Sequence, residues 1–379
     1  MSNILLYNNK KVKLYFDSFI PNHIYSLLQE VDFELTTFEN SDFLISCKFH
    51  LDDNLKIIQN NLSYYESTMK KVIIFLISDF TDNFYIPYNV LLFRTSIYKS
   101  QKKFNEFLLP YVWEEINRPF TILNKTKLPI IGFCGKVSNH RKKLIEKLQN
   151  TSNLTTNFNI KKDFWGGDPH NKDLINQFCD NVIKSHFTVC NRGNGNFSMR
   201  FYQTLSAGRI PILVDTDLIL PFDNIINWNE IIIIGKNEEE VINKLFELWE
   251  KKNIEKTQEK CKYTYDTFFD KRFFLKNLFD GFNNINNTNN NFLFPIDFDF
   301  NIYSKYNDLK NMNASSLIKH YLENGKKEGR IYKLPDKFDI NYYRKNNMDI
   351  VNFNYDEIIK HYINFGHKEK RKYMHVSEN

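Results

Sequence analysis

The sequence has no apolar run long enough to cross a lipid bilayer. Its longest runs, such as VIIFLI at positions 72–77, are far shorter than the roughly 20 residues that a transmembrane helix needs. The first residues, MSNILLYNNKKVKLYF, also lack the apolar core of a secretory signal peptide. These absences predict a soluble, cytoplasmic protein without a membrane span.

Cysteine is scarce, and its spacing contains no pair of the zinc-binding type. The five cysteines are an odd number at wide, irregular intervals, mostly within apolar patterns: Cys47, Cys134, Cys179, Cys190 and Cys261. We therefore predict reduced, buried thiols.

Charge of one sign is scarce as well. The chain carries 51 Lys plus Arg against 45 Asp plus Glu, which gives a formal net charge of +6. Because no basic helix or RNA-binding motif accompanies this mild excess, we expect no nucleic-acid partner.

The chain does have length and a regular alternation of patterns. Its 379 residues exceed the usual size of a single core. Short apolar runs alternate with helical patterns in both halves, which is typical of mostly parallel sheets covered by helices. We predict an α/β protein with an N-terminal domain (1–124), a second domain (125–282), an Asn-rich linker (283–294) and a helical region (295–379).

The segment 186–235 carries the strongest local pattern. It predicts a strand over 187–190, a loop with Gly193 and Gly195, and a helix over 199–207 with Ser198 as N-cap. Gly208 suits the left-handed position that ends the helix, and the next strand covers 209–214. A strand, a glycine-bearing loop and a helix in this order direct a helix N-terminus at a phosphate.

Two arginines of this segment point to an anion. Arg200 lies in the first helical turn, where the helix dipole disfavours a cation unless a bound anion or a buried carboxylate neutralises it. Arg192 in the preceding loop is placed to make a second contact. The alternative is that both are solvated or paired with local acids.

A similar pattern lies upstream, at 130–149. A strand over 130–134 and a turn beginning with Gly135 precede a helix over 140–149, whose buried stripe includes Arg141. A guanidinium on the core-facing side requires a partner, which is either a phosphate or a buried acid.

The order of motifs in 186–235 resembles the conserved core of exostosin-like glycosyltransferases. The family's C-P-R-G, R-F-[FY]-E, A-x-G-x-I-P-V, L-P-F and Trp correspond to CNRG (190–193), RFYQ (200–203), AGRIPI (207–212), LPF (220–222) and Trp228. The resemblance implies a GT-B architecture, in which two doubly wound Rossmann-like domains face a cleft and the C-terminal domain binds a nucleotide sugar. Gln203 departs from the family's acid, and its neutral amide would bind ribose hydroxyls more weakly.

The resemblance also implies a reaction, and positions at predicted strand ends supply further site candidates. A sugar, UDP-linked, passes to a glycan or glycoconjugate hydroxyl with inversion, with no cofactor and no required divalent metal. Asp79, at the end of the strand pattern 72–78, is the proposed base, with Asp82 and Glu114 as competitors. The remaining candidates are donor-binding Gly135, Arg141, Arg192, Gly193, Asn194, Gly195, Asn196, Ser198, Arg200 and Gln203, and acceptor-side Arg94, Ser96, Trp165 and Asp168.

Three alternatives remain open from the sequence. Asp215-Thr216-Asp217 has the spacing that holds a metal in a different glycosyltransferase fold, although we interpret it as a loop near the donor. A fucosyltransferase that uses GDP-fucose shares the strand, loop, helix and A-G-x-x-P plan. A catalytically silent, glycan-binding scaffold would keep the same fold.

The helical region contains a duplication with a period of about forty residues, over 297–332 and 338–373. Each unit predicts two helices closed by a glycine turn, and both resemble repeats that accompany glycosyltransferases in giant viruses and bacteria. A viral source would fit the Asn-, Lys-, Ile-, Phe- and Tyr-rich composition, and another protein is a possible partner of the repeats. We expect His320 and His361 to pack and hydrogen-bond within their units rather than to bind a metal.

Overall fold

A computed structural model describes most of the chain in two parallel sheets and a helical module. The described residues are 6–7, 10–17, 33–46, 55–111, 115–116, 118–251, 253–270, 295 and 297–374. The predicted linker (283–294), Cys47 and Glu114 lie outside these ranges. The predicted α/β class with two mostly parallel sheets is confirmed.

The N-terminal sheet has seven strands in the order β1-β2-β4-β5-β6-β7, with β3 also paired to β2. Only the short β1 pairs antiparallel with its neighbour. The strands are β1 Leu6–Tyr7, β2 Lys10–Phe16, β3 Phe33–Leu35, β4 Phe43–Ser46, β5 Lys71–Leu76, β6 Val90–Arg94 and β7 Glu106–Leu108. Helix α1 (Leu55–Ser67) joins β4 to β5.

The second sheet is wholly parallel, in the order β12-β11-β10-β8-β9. Its strands are β8 Ile130–Lys136, β9 Thr155–Lys161, β10 Phe187–Val189, β11 Ile210–Val214 and β12 Ile233–Gly235. Its helices are α2 Asn139–Gln149, α3 Lys172–Ile183, α4 Met199–Ser206, α5 Glu238–Lys251 and α6 Ile254–Phe268. The chain order reverses between β8 and β10, and ligands of doubly wound sheets bind outside the carboxyl ends of the strands at such a switch point.

The carboxyl edges of the two sheets meet. The amide of Asn196, in the loop after β10, donates to Ser96 Oγ beyond β6 at 2.5 Å. Asp217, after β11, accepts a hydrogen bond from the Ser100 amide at 3.0 Å. The strand ends that carry the predicted site residues of both halves therefore lie on opposite sides of one crevice.

The repeats have closely similar structures. Their helices are α7 Phe300–Tyr303 and α8 Ala314–His320 in the first unit, and α9 Ile340–Lys345 and α10 Tyr355–His361 in the second. A wide helical turn follows α8 and α10, over Tyr321–Gly325 and Tyr362–Gly366.

A tyrosine hydroxyl explains the repeated glycine of each unit. A Cβ on Gly325 would lie 1.8 Å from Tyr303 Oη, and Gly366 has the same relation to Tyr343. Each hydroxyl also forms a 3.0 Å hydrogen bond with the Nδ1 atom of the histidine in its own unit. The predicted local role of His320 and His361 is therefore confirmed.

The repeats share a hydrophobic core with the N-terminal sheet, which the sequence did not indicate. Alternate strand residues on one sheet face, including Phe43, Phe75 and Phe93, form a single cluster with Tyr303 and Leu317 of the first repeat. The intervening strand residues form a separate cluster with α1 on the opposite face. The repeat module is thus one of the two layers that cover this sheet.

One repeat position is strained. Lys370, the counterpart of Gly329, has a φ of 56°, and Gly329 has a φ of 66°. A side chain in this left-handed region costs about 1 kcal/mol. We expect Lys370→Gly to raise the free energy of unfolding by about 0.5 kcal/mol, because the greater freedom of unfolded glycine offsets part of the gain. Chemical denaturation measures this, with Gly329→Lys as the reverse control; equal stabilities of all three proteins would contradict it.

Two further expectations concern the cysteines and membranes. The cysteines that the structure describes are buried, free thiols, as predicted: Cys134, Cys179, Cys190 and Cys261. Among the helices of the described ranges, none has both the length and the apolar content of a membrane span.

Candidate active site

Three arginines converge where β8 and β10 end. Arg141 belongs to the first turn of α2, Arg192 to the loop after β10, and Arg200 to the first turn of α4. Their exposed fractions are 5%, 9% and 9%. All three were predicted to bind a donor. The guanidiniums of Arg141 and Arg200 lie over the same Phe133 ring, whereas that of Arg192 is directed at Tyr98.

Arg200 is the most deeply engaged of the three. Its Nη2 donates to the Cys134 carbonyl at 2.8 Å, and its guanidinium lies 4.7 Å from the centre of the Phe133 ring. The Arg141 guanidinium lies 5.9 Å from the same ring. Gly135 has a φ of 144°, and a Cβ there would stand 2.7 Å from Arg200 Nη2. Glycine at this position therefore makes room for the guanidinium.

Arg141 donates only to backbone carbonyls. Its Nε reaches Asn191 O at 3.2 Å and its Nη1 reaches Lys136 O at 3.0 Å. Its Nη2 lies close to the next loop, since a Cβ on Gly193 would be 3.4 Å away. Burial, and next the charge of Arg200, lower the pKa of Arg141 to about 9. The low pKa shows how strongly this position disfavours a cation without a counterion.

Arg192 reaches across the crevice. Its Nη1 donates to Tyr98 Oη at 2.7 Å and to Asn196 Oδ1 at 3.0 Å, while Nη2 donates to Asn194 O at 2.7 Å. Tyr98 follows β6 of the first sheet, and sequence reasoning missed it although it lies two residues after the predicted Ser96. Arg192 is thus the donor-side cation that contacts the opposite half directly.

These three cations are not neutralised by any carboxylate in the described part of the chain. Among the described residues, none lies within 4.0 Å of Arg141, Arg192 or Arg200 as an ion-pair partner. In the described part of the chain, Arg192 Nε and both Nε and Nη1 of Arg200 have no hydrogen-bond partner. Because a buried, unpaired cation is costly, the arrangement fits a site for an anion.

Two helix N-termini add to the positive potential here. Ser138 and Ser198 occupy the N-cap positions of α2 and α4, but neither side chain accepts a capping hydrogen bond. Ser138 Oγ is also buried without a partner in the described region. The first turns of both helices are therefore available to an anion, which the helix dipoles favour.

The glycines of the loop after β10 do not adopt the left-handed backbone conformation. Gly193 and Gly195 are absent from the residues with positive φ, whereas Gly208 has a φ of 65°, as predicted. A Cβ on Gly195 would lie 2.7 Å from Asp79 Oδ1 and 2.9 Å from Ser96 Oγ. The close neighbour that requires glycine at 195 is thus the opposite half of the protein.

Asn196 serves the contact between the halves. Besides its amide bond to Ser96, its Nδ2 donates to Ile97 O at 3.0 Å and to Asp217 O at 3.1 Å. Its amide was interpreted as a donor to a diphosphate, but Ser96 occupies it. The side chain acts instead by holding Arg192.

The candidates of the N-terminal half separate into two groups. Asp79 follows β5, is exposed, and lies beside the donor-side loop. Arg94 is turned away: its Nη1 pairs with Glu106 at 3.2 Å, and its other nitrogens donate to the carbonyls of Ser96 and Phe80. The acceptor-side interpretation of Arg94 therefore does not fit, because the side chain is buried within its own sheet.

The remaining candidates lie at the edge of the site. Trp165 and Asp168 follow β9, where Trp165 is 44% exposed with a φ of 59°. Asp168 Oδ1 accepts a hydrogen bond from the His170 amide at 2.9 Å. Gln203 is half-buried in α4.

The two aspartates of the D-x-D tripeptide make local and cross-crevice contacts. Asp215 Oδ1 accepts a hydrogen bond from the Leu218 amide at 3.2 Å, and Asp217 binds Ser100. Within the described residues, no three His, Cys, Asp or Glu side chains come together as a metal site.

Comparisons with known proteins point to one class of enzyme. The Exostosin GT47 domain matches residues 97–245. The Exostosin-1 homolog of Caenorhabditis elegans is 27% identical over 88 residues, which cover 23% of this chain and 23% of that relative. The match thus spans less than a quarter of the relative's length.

The solved structure of WaaG, a glycosyltransferase involved in lipopolysaccharide biosynthesis, is 9% identical to this chain and has a TM-score of 0.32. The alignment covers 71% of this chain and 99% of the WaaG chain. A score this low carries no argument about function. Over 97–245, a segment that contains all three arginines, the chain is similar to glycosyltransferase domains of the exostosin type.

Proposed function

We propose that this protein transfers a sugar from a nucleotide-sugar donor, UDP-linked, to a hydroxyl of a glycan or glycoconjugate. The observation that carries the proposal is the set of three buried arginines at the switch point of the second sheet, none of which pairs with a carboxylate of the described residues. A donor diphosphate supplies the missing negative charge. Arg–phosphate hydrogen bonds are charge-assisted and directional, which suits a site built from guanidiniums.

The arginines act on the leaving group. As the bond between the anomeric carbon and the diphosphate oxygen breaks, its electron pair leaves with the nucleoside diphosphate, and negative charge grows there. Arg200 and Arg141 stabilise that charge in a site of low polarity, with the N-termini of α2 and α4 adding to the potential. This positive charge takes the role that a divalent cation has in other transferases, so we expect metal-independent turnover.

Asp79 acts on the acceptor from the opposite side of the crevice. Its carboxylate accepts the proton of the acceptor hydroxyl while that oxygen bonds to the anomeric carbon. Because the base and the leaving group occupy opposite walls, the reaction inverts the anomeric configuration. The exposed Trp165 and Asp168 line the approach for the acceptor, and Gln203 contacts the donor ribose. Ser96 is 0% exposed and binds the Asn196 amide, so its predicted contact with the acceptor does not fit.

Nucleotide binding tests the proposal directly. We expect UDP to stabilise the folded protein, by about 2.7 kcal/mol at a concentration of one hundred times the dissociation constant. Calorimetry and thermal unfolding with UDP, GDP and ADP measure this, each with and without a chelator. Preferential stabilisation by GDP would favour the fucosyltransferase alternative. No response of the folded protein to any nucleotide would contradict the proposal.

A further inference from the structure

A tyrosine holds the proposed base in the crevice. Tyr111 lies three residues beyond β7, and its Oη donates to Asp79 Oδ1 at 2.9 Å. The Tyr111 ring is partly buried against the hydrophobic core of the second sheet. One side chain therefore rests on the donor-binding half and binds the carboxylate of the other half.

The same carboxylate oxygen lies against the donor-side loop. A Cβ on Gly195 would stand 2.7 Å from Asp79 Oδ1, so only the absence of a side chain permits this approach. The negative charge of Asp79 also raises the pKa of Arg141, against the larger lowering effect of burial. Asp79 is thus close enough to the anion site to act on a ligand bound there.

The two carboxylate oxygens have different surroundings. Oδ1 accepts the phenol hydrogen bond, whereas Oδ2 accepts no hydrogen bond from the residues that the structure describes. Asp79 is exposed, so this second oxygen is accessible to a substrate. Burial, and next the charge of Asp79, raise the pKa of Tyr111, which keeps the phenol protonated as a donor at neutral pH.

We infer that Tyr111 is a positioning residue: it fixes one oxygen of Asp79 against the donor loop and leaves the other to receive the proton of the acceptor hydroxyl. This inference rests on the proposed function. The inference also places the reacting hydroxyl oxygen of the acceptor next to Asp79 Oδ2, on the side of the crevice opposite the arginines. The other titratable groups that face the pair are Arg141 of α2, Arg192 of the loop after β10 and Tyr202 of α4.

Tyr111→Phe tests the inference because it removes the hydroxyl and keeps the ring. Without the phenol hydrogen bond, the Asp79 carboxylate is no longer held in the orientation that directs Oδ2 at the acceptor. We expect kcat to fall about tenfold, as the loss of one hydrogen bond to a charged group does. The KM for the donor stays unchanged. Turnover is measured as UDP released from UDP-sugars, with water or an oligosaccharide as acceptor.

Tyr98→Phe is the matched control. It removes a phenol hydroxyl in the same way, but the partner of this hydroxyl is Arg192 and not Asp79. It is expected to raise the KM for the donor and to lower kcat less than Tyr111→Phe does. A wild-type kcat in Tyr111→Phe, in a protein that binds UDP and turns over, would overturn the inference alone. Wild-type protein that binds no nucleotide would overturn the proposed function as well.

Asp79→Asn keeps the test decisive if Tyr111→Phe does not fold. Its amide oxygen still accepts the Tyr111 hydrogen bond, but it takes no proton, and the exposed site tolerates the change. We expect kcat to fall by about 10²–10⁴-fold. Full retention of kcat would show that Asp79 is not the base and that Tyr111 positions nothing catalytic.

Discussion

Replacing Arg200 with methionine is expected to lower kcat/KM by about 10²–10³-fold while leaving the free energy of unfolding unchanged or higher. The loss follows because Arg200 stabilises the leaving diphosphate in a buried site, where one such donor contributes about 3 to 4 kcal/mol. The free energy of unfolding of the variant is not lowered, because two nitrogens of Arg200 have no hydrogen-bond partner in the described residues. A buried, unpaired cation is often replaced by an apolar side chain without cost.

Arg209→Met is the matched control. Arg209 is 1% exposed and donates to Gln258 Oε1 and to the carbonyls of Thr121 and Ile183. Removing it leaves these buried acceptors unsatisfied, so we expect a loss of about 3–5 kcal/mol in the free energy of unfolding. The same substitution in the same helix-to-strand segment thus separates a functional arginine from a structural one.

Denaturation and UDP calorimetry on both variants measure the difference. The anion-site assignment would be wrong if Arg200→Met lost as much stability as Arg209→Met and still bound UDP as the wild type does. A scaffold without catalysis predicts a third pattern, in which Arg200→Met affects neither UDP binding nor any partner.

The local architecture of the site was predictable from sequence because its signals are local. The strand, loop and helix over 187–206 and the left-handed Gly208 follow from apolar runs, caps and glycine within one short segment. The position of Arg141 on a buried stripe likewise follows from helical periodicity alone. Convergence of the three arginines then depended on parallel strands, whose carboxyl ends share one edge.

Four strands were missed: β2, β3, β7 and β9. Strand β9 (Thr155–Lys161) lies at the sheet edge, and none of its residues is fully buried, so it has no apolar run. Strand β2 (Lys10–Phe16) contains three lysines, which interrupt its apolar pattern, and β3 and β7 have only three residues each. An edge or half-exposed strand gives a weak pattern, whereas a central strand such as β5 is apolar throughout.

Contacts between distant segments were also beyond the sequence. The pairing of Arg94 with Glu106 spans two strands, and the approach of Asp79 to Gly195 joins the two halves. The domain boundaries and the roles assigned to individual site residues stay predictions. Nothing in the linear pattern of the repeats indicated that they cover the first sheet.

Deleting residues 295–379 is expected to unfold the N-terminal sheet. The first repeat packs on one whole face of that sheet, where alternate residues of β2, β4, β5, β6 and β7 would become exposed. An exposed apolar face of this size drives aggregation. Each large apolar side chain on it loses about 1.5–3 kcal/mol of burial, and together these losses match or exceed the roughly 5–15 kcal/mol that stabilise a domain. Size-exclusion chromatography, near-ultraviolet circular dichroism and dye binding to exposed apolar surface measure the effect.

A point substitution in the full-length chain tests whether the repeats share a core with the N-terminal sheet or fold as an independent module. Leu317 of the first repeat is 0% exposed, and Leu317→Ala is expected to cost about 2–5 kcal/mol of unfolding free energy in one cooperative transition. Leu35→Ala, at a leucine of the same sheet that is 56% exposed, is expected to change it by less than about 0.5 kcal/mol. If the repeats were an independent module, Leu317→Ala would instead produce a separate early transition, and the truncated protein would remain monomeric, folded and able to bind UDP.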